Sequence, residues 1–282
     1  MKKRQRKVRL IRAAIQLVFF IVAPALFSTA FAGVKSIFQA IAAGQPVTWN
    51  SFLDVTGALL LITVLFGRHF CGYACAFGSL GDAMYELTLF IRQKVFHKKG
   101  RHGYPEKVVR CLQKVKYILL AFILLSIFTG WYANLQGMSP WDVFSMLHAR
   151  NFKLGGYTLG VVLLVLIVIG MCFQERFFCR VLCPMGAVFS ILPVLPFSTL
   201  RRDRSECIKG CRACTMKCPS DIELAPDTAP ELSGDCFQCQ KCIDTCPKGN
   251  IHTGIRALKG NEIWYTVLRA VILLILFKFV GL

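Results

Sequence analysis

Five apolar runs separated by blocks of lysine and arginine restrict what this chain can fold into more than any other feature. The first, Ala13 to Ala32, is roughly 20 residues long, enough to cross a bilayer as a helix. It follows seven basic side chains, Lys2, Lys3, Arg4, Arg6, Lys7, Arg9 and Arg12. Its end, Ala30-Phe31-Ala32-Gly33, also fits a signal-peptidase site, but an uncleaved first helix is expected. The second run, about Phe52 to Gly67, delivers Arg68 to the inner face. Nine Lys or Arg lie between Arg92 and Lys116, including Lys98, Lys99 and Arg101, which places that region in the cytoplasm. Met84 to Phe96 reads as an amphipathic helix near the interface.

The third run, about Tyr117 to Trp131, leads to a loop, Tyr132–Gly156, that is poor in basic residues and expected outside. The fourth, Tyr157 to Phe173, returns the chain to Arg176 and Arg180 inside. The last, Trp264 to Leu282, is interrupted by Arg269 and Lys278; a fifth span or a helix lying in the interface both fit it. A chain that is 55% apolar with mean hydropathy +0.53 agrees with an integral membrane protein. The net charge of +19 sits in blocks between the apolar runs, as in cytoplasmic loops, so nucleic acid is not an expected partner.

Fourteen cysteines are too many for ordinary packing, and they gather where the charge pattern places the cytoplasm, so metal clusters are expected rather than disulfides. From Cys207 to Pro247 the sequence reads C-IKG-C-RA-C-TMK-CP and then C-FQ-C-QK-C-IDT-CP, with seventeen residues between Cys218 and Cys236. The second group is the bacterial ferredoxin pattern, in which the fourth cysteine of each group crosses to the other cluster. Cys207, Cys211, Cys214 and Cys246 are therefore assigned to one [4Fe–4S] cluster, and Cys236, Cys239, Cys242 and Cys218 to the other. Two groups that both close on Cys-Pro argue against structural zinc. One departure is the three residues between Cys207 and Cys211, where Gly210 supplies an extra flexible position.

A second cysteine device repeats at a distance of 108 residues. Arg68-His69-Phe70-Cys71 matches Arg176-Phe177-Phe178-Cys179, Cys75 matches Cys183, and Gly78 matches Gly186. Each stretch ends an outside-to-inside run, as in two halves related by a pseudo-two-fold axis. If helical, each pair presents two thiols on one face. Three roles stay open for Cys71, Cys75, Cys179 and Cys183: ligands of an additional membrane-face iron–sulfur cluster, redox-active thiols, or packing. Cys111 and Cys172 lack this context and read as small apolar residues.

The expected fold is an α-helical membrane protein of four or five transmembrane helices in two pseudo-repeated halves, with a small cytoplasmic α+β 2[4Fe–4S] ferredoxin domain. Residues 1–200 form the membrane part, 201–256 the ferredoxin part, and 257–282 a C-terminal spanning or interfacial helix. An oxidised all-cysteine cubane carries a charge of about −2. The basic residues around it then either fix topology only, or also raise the clusters' potentials and dock an acidic redox partner.

FCGYACAFG, FFCRVLCPMG and the double ferredoxin run together resemble the NapH/MauN/NosR group of membrane-bound polyferredoxin proteins. The resemblance implies a multi-pass subunit of the bacterial cytoplasmic membrane that passes electrons between the quinone pool and redox partner proteins. It leaves open a quinol dehydrogenase, an electron-transfer subunit of a larger oxidoreductase, an accessory protein for maturing or reactivating a partner enzyme, and a redox sensor. Ala76, where the second pair has Pro184, departs from the group's usual C-x3-CP. No nucleotide loop or nucleophile–histidine constellation is visible. A quinone needs a proton-handling neighbour, for which His69, Asp142 and His148 are the candidates.

Overall fold

The computed structural model describes residues 2–97, 105–135, 137–225, 229–254 and 262–279. Lys98, Lys99 and Arg101 of the basic block, and both edges of the expected C-terminal segment, lie outside the described residues. The chain is mostly helical. In order it forms α1 (Lys2–Val22), α2 (Leu26–Ala42), α3 (Ser51–Phe66), α4 (His69–Tyr73), α5 (Ala76–Val95), α6 (Glu106–Leu112) and α7 (Val115–Phe128). A 3-10 turn (Trp131–Leu135), α8 (Pro140–His148), α9 (Thr158–Phe173), a π-type turn (Phe178–Leu182) and α10 (Pro184–Ile191) follow. The ferredoxin segment contributes β1 (Leu200–Arg202), α11 (Ala213–Lys217), α12 (Lys241–Thr245) and β2 (Ile251–Thr253), and α13 (Glu262–Phe279) ends it.

The apolar run Ala13–Ala32 does not make one helix. It breaks at Pro24, whose ring removes an amide donor and crowds the preceding turn. Among the described residues, Val108–Phe128 is long and apolar enough to cross a membrane, and Val8–Val22 with Leu26–Ala42 passes only as a broken pair. Helices α3 and α9 are as apolar but have 16 residues each. At 1.5 Å per residue they reach only about 24 Å, short of a hydrocarbon core of about 30 Å. The loop expected between Tyr132 and Gly156 contains α8, begun by Ser139, whose hydroxyl accepts from the Asp142 amide at 3.3 Å, with Pro140 in the first helical position.

Contacts divide the chain into two compact units: Met1–Val22 with Gly57–Cys75 and Val188–Leu282, and Ala23–Thr56 with Ala76–Ala187. These cross the boundaries expected at 200 and 256. In the first unit the reason is polar docking of α13 on the ferredoxin segment. Thr266 donates to the Gln240 side chain at 2.7 Å, Arg269 donates to Thr253 Oγ1 at 3.2 Å, and His252 pairs with Glu262 at 2.8 Å. Strands β1 and β2 pair antiparallel, with Leu200 opposite Thr253.

The second unit is built around aromatic side chains. Phe77 lies 4.3 Å from Phe144 and 4.6 Å from Phe178, and Phe27 stands edge-on to Phe178 at 5.8 Å. Beside them Arg176 makes a two-pronged ion pair with Asp82, at 3.0 Å and 2.5 Å, both side chains buried. Truncating one partner strands the other charge. Asp82→Asn or Arg176→Met is expected to destabilise the unit by about 3–5 kcal/mol, and the double variant Asp82→Leu/Arg176→Met to recover most of it. Thermal denaturation of the purified protein measures this, and additive losses in the double variant would count against it.

Candidate metal centres

In the ferredoxin segment, cysteines of both sequence groups meet. Cys218, from the first group, lines one cavity with Cys236, Cys239 and Cys242 of the second; Cys214 also reaches it. The remaining walls are mostly apolar, Leu200, Ile222, Leu224 and Phe237 among them, with Ser220 and Gln240 as polar members. Each group closes on a short helix, α11 containing Cys214 and α12 containing Cys242, and the following Cys218 and Cys246 take extended backbone. Cys207 and Cys246 lie on either side of Asn250, whose amide nitrogen donates to Cys207 Sγ at 3.5 Å and whose oxygen accepts from Cys246 at 2.8 Å. Arg202, buried, points a guanidinium nitrogen at Cys214 Sγ, 3.6 Å away.

Burial pushes the Cys218 thiol up to about 11, with the Cys239 thiol adding to it. It pushes the Cys236 and Cys242 thiols up as well, so ligation there must displace protons. Among the described residues no three His, Cys, Asp or Glu side chains converge tightly enough for a single metal ion. A cubane binds one thiolate per iron and asks for a wider set. Soft sulfur donors in a dry, apolar cavity suit it.

The turn before the second cysteine carries the geometry. Gln238 and Gln240 take left-handed backbone, at φ 51° and φ 61°, and Gly210 does so at φ 75°. Gly210 precedes Cys211 as Gln238 precedes Cys239. The inserted residue of the first group is thus absorbed without moving the turn.

The two C-x3-C stretches share one local fold, though not the continuous helix face expected for them. In each, the second cysteine's amide donates five residues back at 2.9 Å, Cys75 to Phe70 and Cys183 to Phe178. That cysteine then stands just before a new helix, Cys75 ahead of α5 and Cys183 ahead of α10. The Gly186 amide in the first turn of α10 donates to Cys183 Sγ at 3.1 Å. All four thiols are buried.

Within the first unit, α4 sits on the loop that carries Cys236 and Cys239. A methyl group on Gly72 would stand 2.4 Å from the Phe237 carbonyl oxygen. Tyr73 donates to the Cys239 carbonyl at 3.3 Å, and the Arg68 guanidinium lies over the Phe237 ring at 4.6 Å. Arg68 also reaches Asp235 at 3.4 Å.

Comparison with known proteins bears directly on the C-x3-C cysteines. The pattern described as a 4Fe-4S binding domain matches residues 52–99 and 157–195, the two segments that hold Cys71, Cys75, Cys179 and Cys183. An uncharacterized protein of Methanocaldococcus jannaschii is 28% identical over 86% of this chain and 86% of its own length. The putative electron transport protein YccM of Escherichia coli is 26% identical over 77% of this chain and 59% of its own. The ferredoxin-type protein NapH of Haemophilus influenzae is 27% identical over 69% of this chain and 66% of its own. The chain belongs to the NapH/NosR-type polyferredoxin family. No solved structure matches it. This polyferredoxin is thereby an iron–sulfur electron-transport protein by family.

The remaining sequence candidates are scattered through the polyferredoxin. His69 is fully buried, stacked on Tyr73 at 4.5 Å, and neither ring nitrogen has a hydrogen-bond partner among the described residues. Burial, reinforced by the Arg269 charge, holds its imidazole neutral. Asp142 lies in the first turn of α8 and His148 at its end, 6.2 Å from the Phe144 ring. Cys111 is exposed and Cys172 half-buried. Sequence reading missed Asn250, Arg202, Gly72 and Arg269. Only Gly72 carried a signal, being the one residue between the paired cysteines that lacks a side chain.

Proposed function

We propose that this polyferredoxin is a multi-pass protein of the bacterial cytoplasmic membrane that moves electrons between the quinone pool and redox partner proteins. The observation that carries this reading is the cavity shared by Cys218, Cys236, Cys239 and Cys242, which unites thiols from both sequence groups as a two-cluster ferredoxin requires. Cys207, Cys211, Cys214 and Cys246 hold the other cluster, supported by the bridge of Asn250 between Cys207 and Cys246. Cys71, Cys75, Cys179 and Cys183 are additional iron–sulfur ligands, supported by the family pattern that covers them and by their common local fold.

Each cluster, when bound, accepts or donates one electron. The chain holds these groups, excludes water from the Cys236 side, and sets their surroundings. Four or five spans carry residues 1–200 and α13, with residues 201–256 in the cytoplasm. Apolar side chains left exposed along α7 and α9, such as Ile118, Leu125, Val165 and Leu166, suit lipid contact. Quinone is the membrane-side partner, with His69, Asp142 and His148 as proton-handling residues.

Iron analysis tests the ligand sets. Anaerobically purified protein is expected to carry more than about eight irons per chain, with about eight left when Cys71, Cys75, Cys179 and Cys183 are all replaced by serine. Unchanged iron in that variant removes the four from the ligand set and favours a dithiol role. Quinol added to membranes holding the protein should reduce its clusters; failure to do so removes the quinone assignment.

A further inference from the structure

The two ferredoxin clusters are expected to differ in exposure. Cys236, Phe237, Gln238, Gln240 and Cys242 are all buried. The first group is more open, although its Cys214 is buried. Cys211 is exposed, and on either side of it Ile208 and Met216 turn large apolar surface outward, at 49% and 65% exposure. The same short stretch carries the exposed cations Lys209, Arg212 and Lys217. Of the four acids between residues 203 and 223, Glu223 pairs with Arg204 at 3.6 Å, Asp203 accepts from the Ser205 hydroxyl at 2.6 Å, Asp221 is half-buried, and Glu206 is exposed.

An apolar centre with a basic rim, over a thiol at the surface, has the anatomy of a transient protein interface. Its charge selects the occupant and its exposure sets the function. We propose that the face formed by Ile208, Lys209, Cys211, Arg212, Met216 and Lys217 is the docking surface for an acidic one-electron carrier protein. The inference rests on the two-cluster reading above and adds the place at which electrons are exchanged with a partner. A single electron leaves the protein for the carrier's metal centre, which is reduced as the protein is oxidised; no bond forms and no proton moves. Excess positive charge speeds encounter with an acidic carrier and is screened by salt.

The test uses the full-length, iron-loaded protein in nanodiscs, reduced with dithionite and mixed with an acidic blue-copper protein or with basic cytochrome c. The acidic oxidant is expected to react faster at low ionic strength and to slow as salt is added. In Lys209→Glu/Arg212→Glu/Lys217→Glu its rate should fall about tenfold or more, while cytochrome c speeds up. The variant's iron content and paramagnetic spectrum should be unchanged. If the triple variant loses iron, Lys217→Glu alone should shift both rates in the same directions by a smaller factor. Rates that ignore both salt and the substitutions overturn the proposal. Protection of the clusters by anionic but not neutral lipid also overturns it, because the face then lies on the membrane. Fewer than about eight irons in the unsubstituted protein would instead sink the two-cluster reading itself.

Discussion

Cys218→Ser and Cys239→Ser are each expected to remove about four irons per chain and to abolish the same paramagnetic signal, with Cys246→Ser expected to abolish the other. This outcome follows from the crossing of the chain. By sequence order Cys218 belongs with Cys207, Cys211 and Cys214, and Cys246 with Cys236, Cys239 and Cys242. In space Cys218 lines the cavity of the second group, and Cys246 meets Cys207 across Asn250. Electron paramagnetic resonance of the three reduced variants, with iron counted on the same samples, makes the comparison. Pairing of the Cys218 and Cys246 phenotypes, with Cys239 different, would mean that the chain does not cross.

Gly72→Ala should damage the Cys236–Cys239 loop without touching a cysteine. The added methyl group would collide with the Phe237 carbonyl at 2.4 Å, a backbone atom held between Cys236 and the left-handed Gln238. That carbonyl cannot swing aside as a side-chain tip would. Overpacking of this kind costs about 1–3 kcal/mol. Part of the cost should appear as an altered spectrum of the second cluster, since the loop that must yield carries its ligands. Gly57→Ala is the matched control: a methyl group there meets nothing within 4 Å, and the spectrum should stay as it was. An unaltered spectrum and melting temperature in Gly72→Ala would show that α4 does not bear on that loop.

How far the sequence revealed this protein depends on the kind of interaction that fixes each part. The eight ferredoxin cysteines stand out in the sequence because cluster ligation demands fixed spacing, and at the irregular Cys207 interval Gly210 takes left-handed backbone, as Gln238 does in the other group. The C-x3-C pairs were legible as a repeat but not as a shape. Spacing of four suggests a helix face, whereas the five-residue hydrogen bonds end the helix and set Cys75 and Cys183 ahead of the next one. That also explains how Ala76 can stand where the second pair has Pro184. Each is the first residue of a helix, where no amide partner is required, so proline is tolerated and alanine serves equally.

Long-range polar contacts left no such trace. Arg269 looked like an interruption of an apolar run, yet its partner Thr253 lies on a strand of the ferredoxin segment. Asn250 and Arg202 reach cysteine sulfurs through folding alone. The number of spans is equally hard to read, because α3 and α9 are apolar enough but short.

The left-handed glutamines have a consequence in time. Gln238 and Gln240 hold a conformation that costs a residue with a side chain of order 1–3 kcal/mol each, so this turn needs something to keep it wound. Bonds from Cys236, Cys239 and Cys242 to a shared centre would do so. The Phe237 carbonyl that Gly72 receives is part of the same turn. A nascent chain is therefore expected to dock α4 firmly only once this turn is wound, which ties the settling of α4 to delivery of the cofactor.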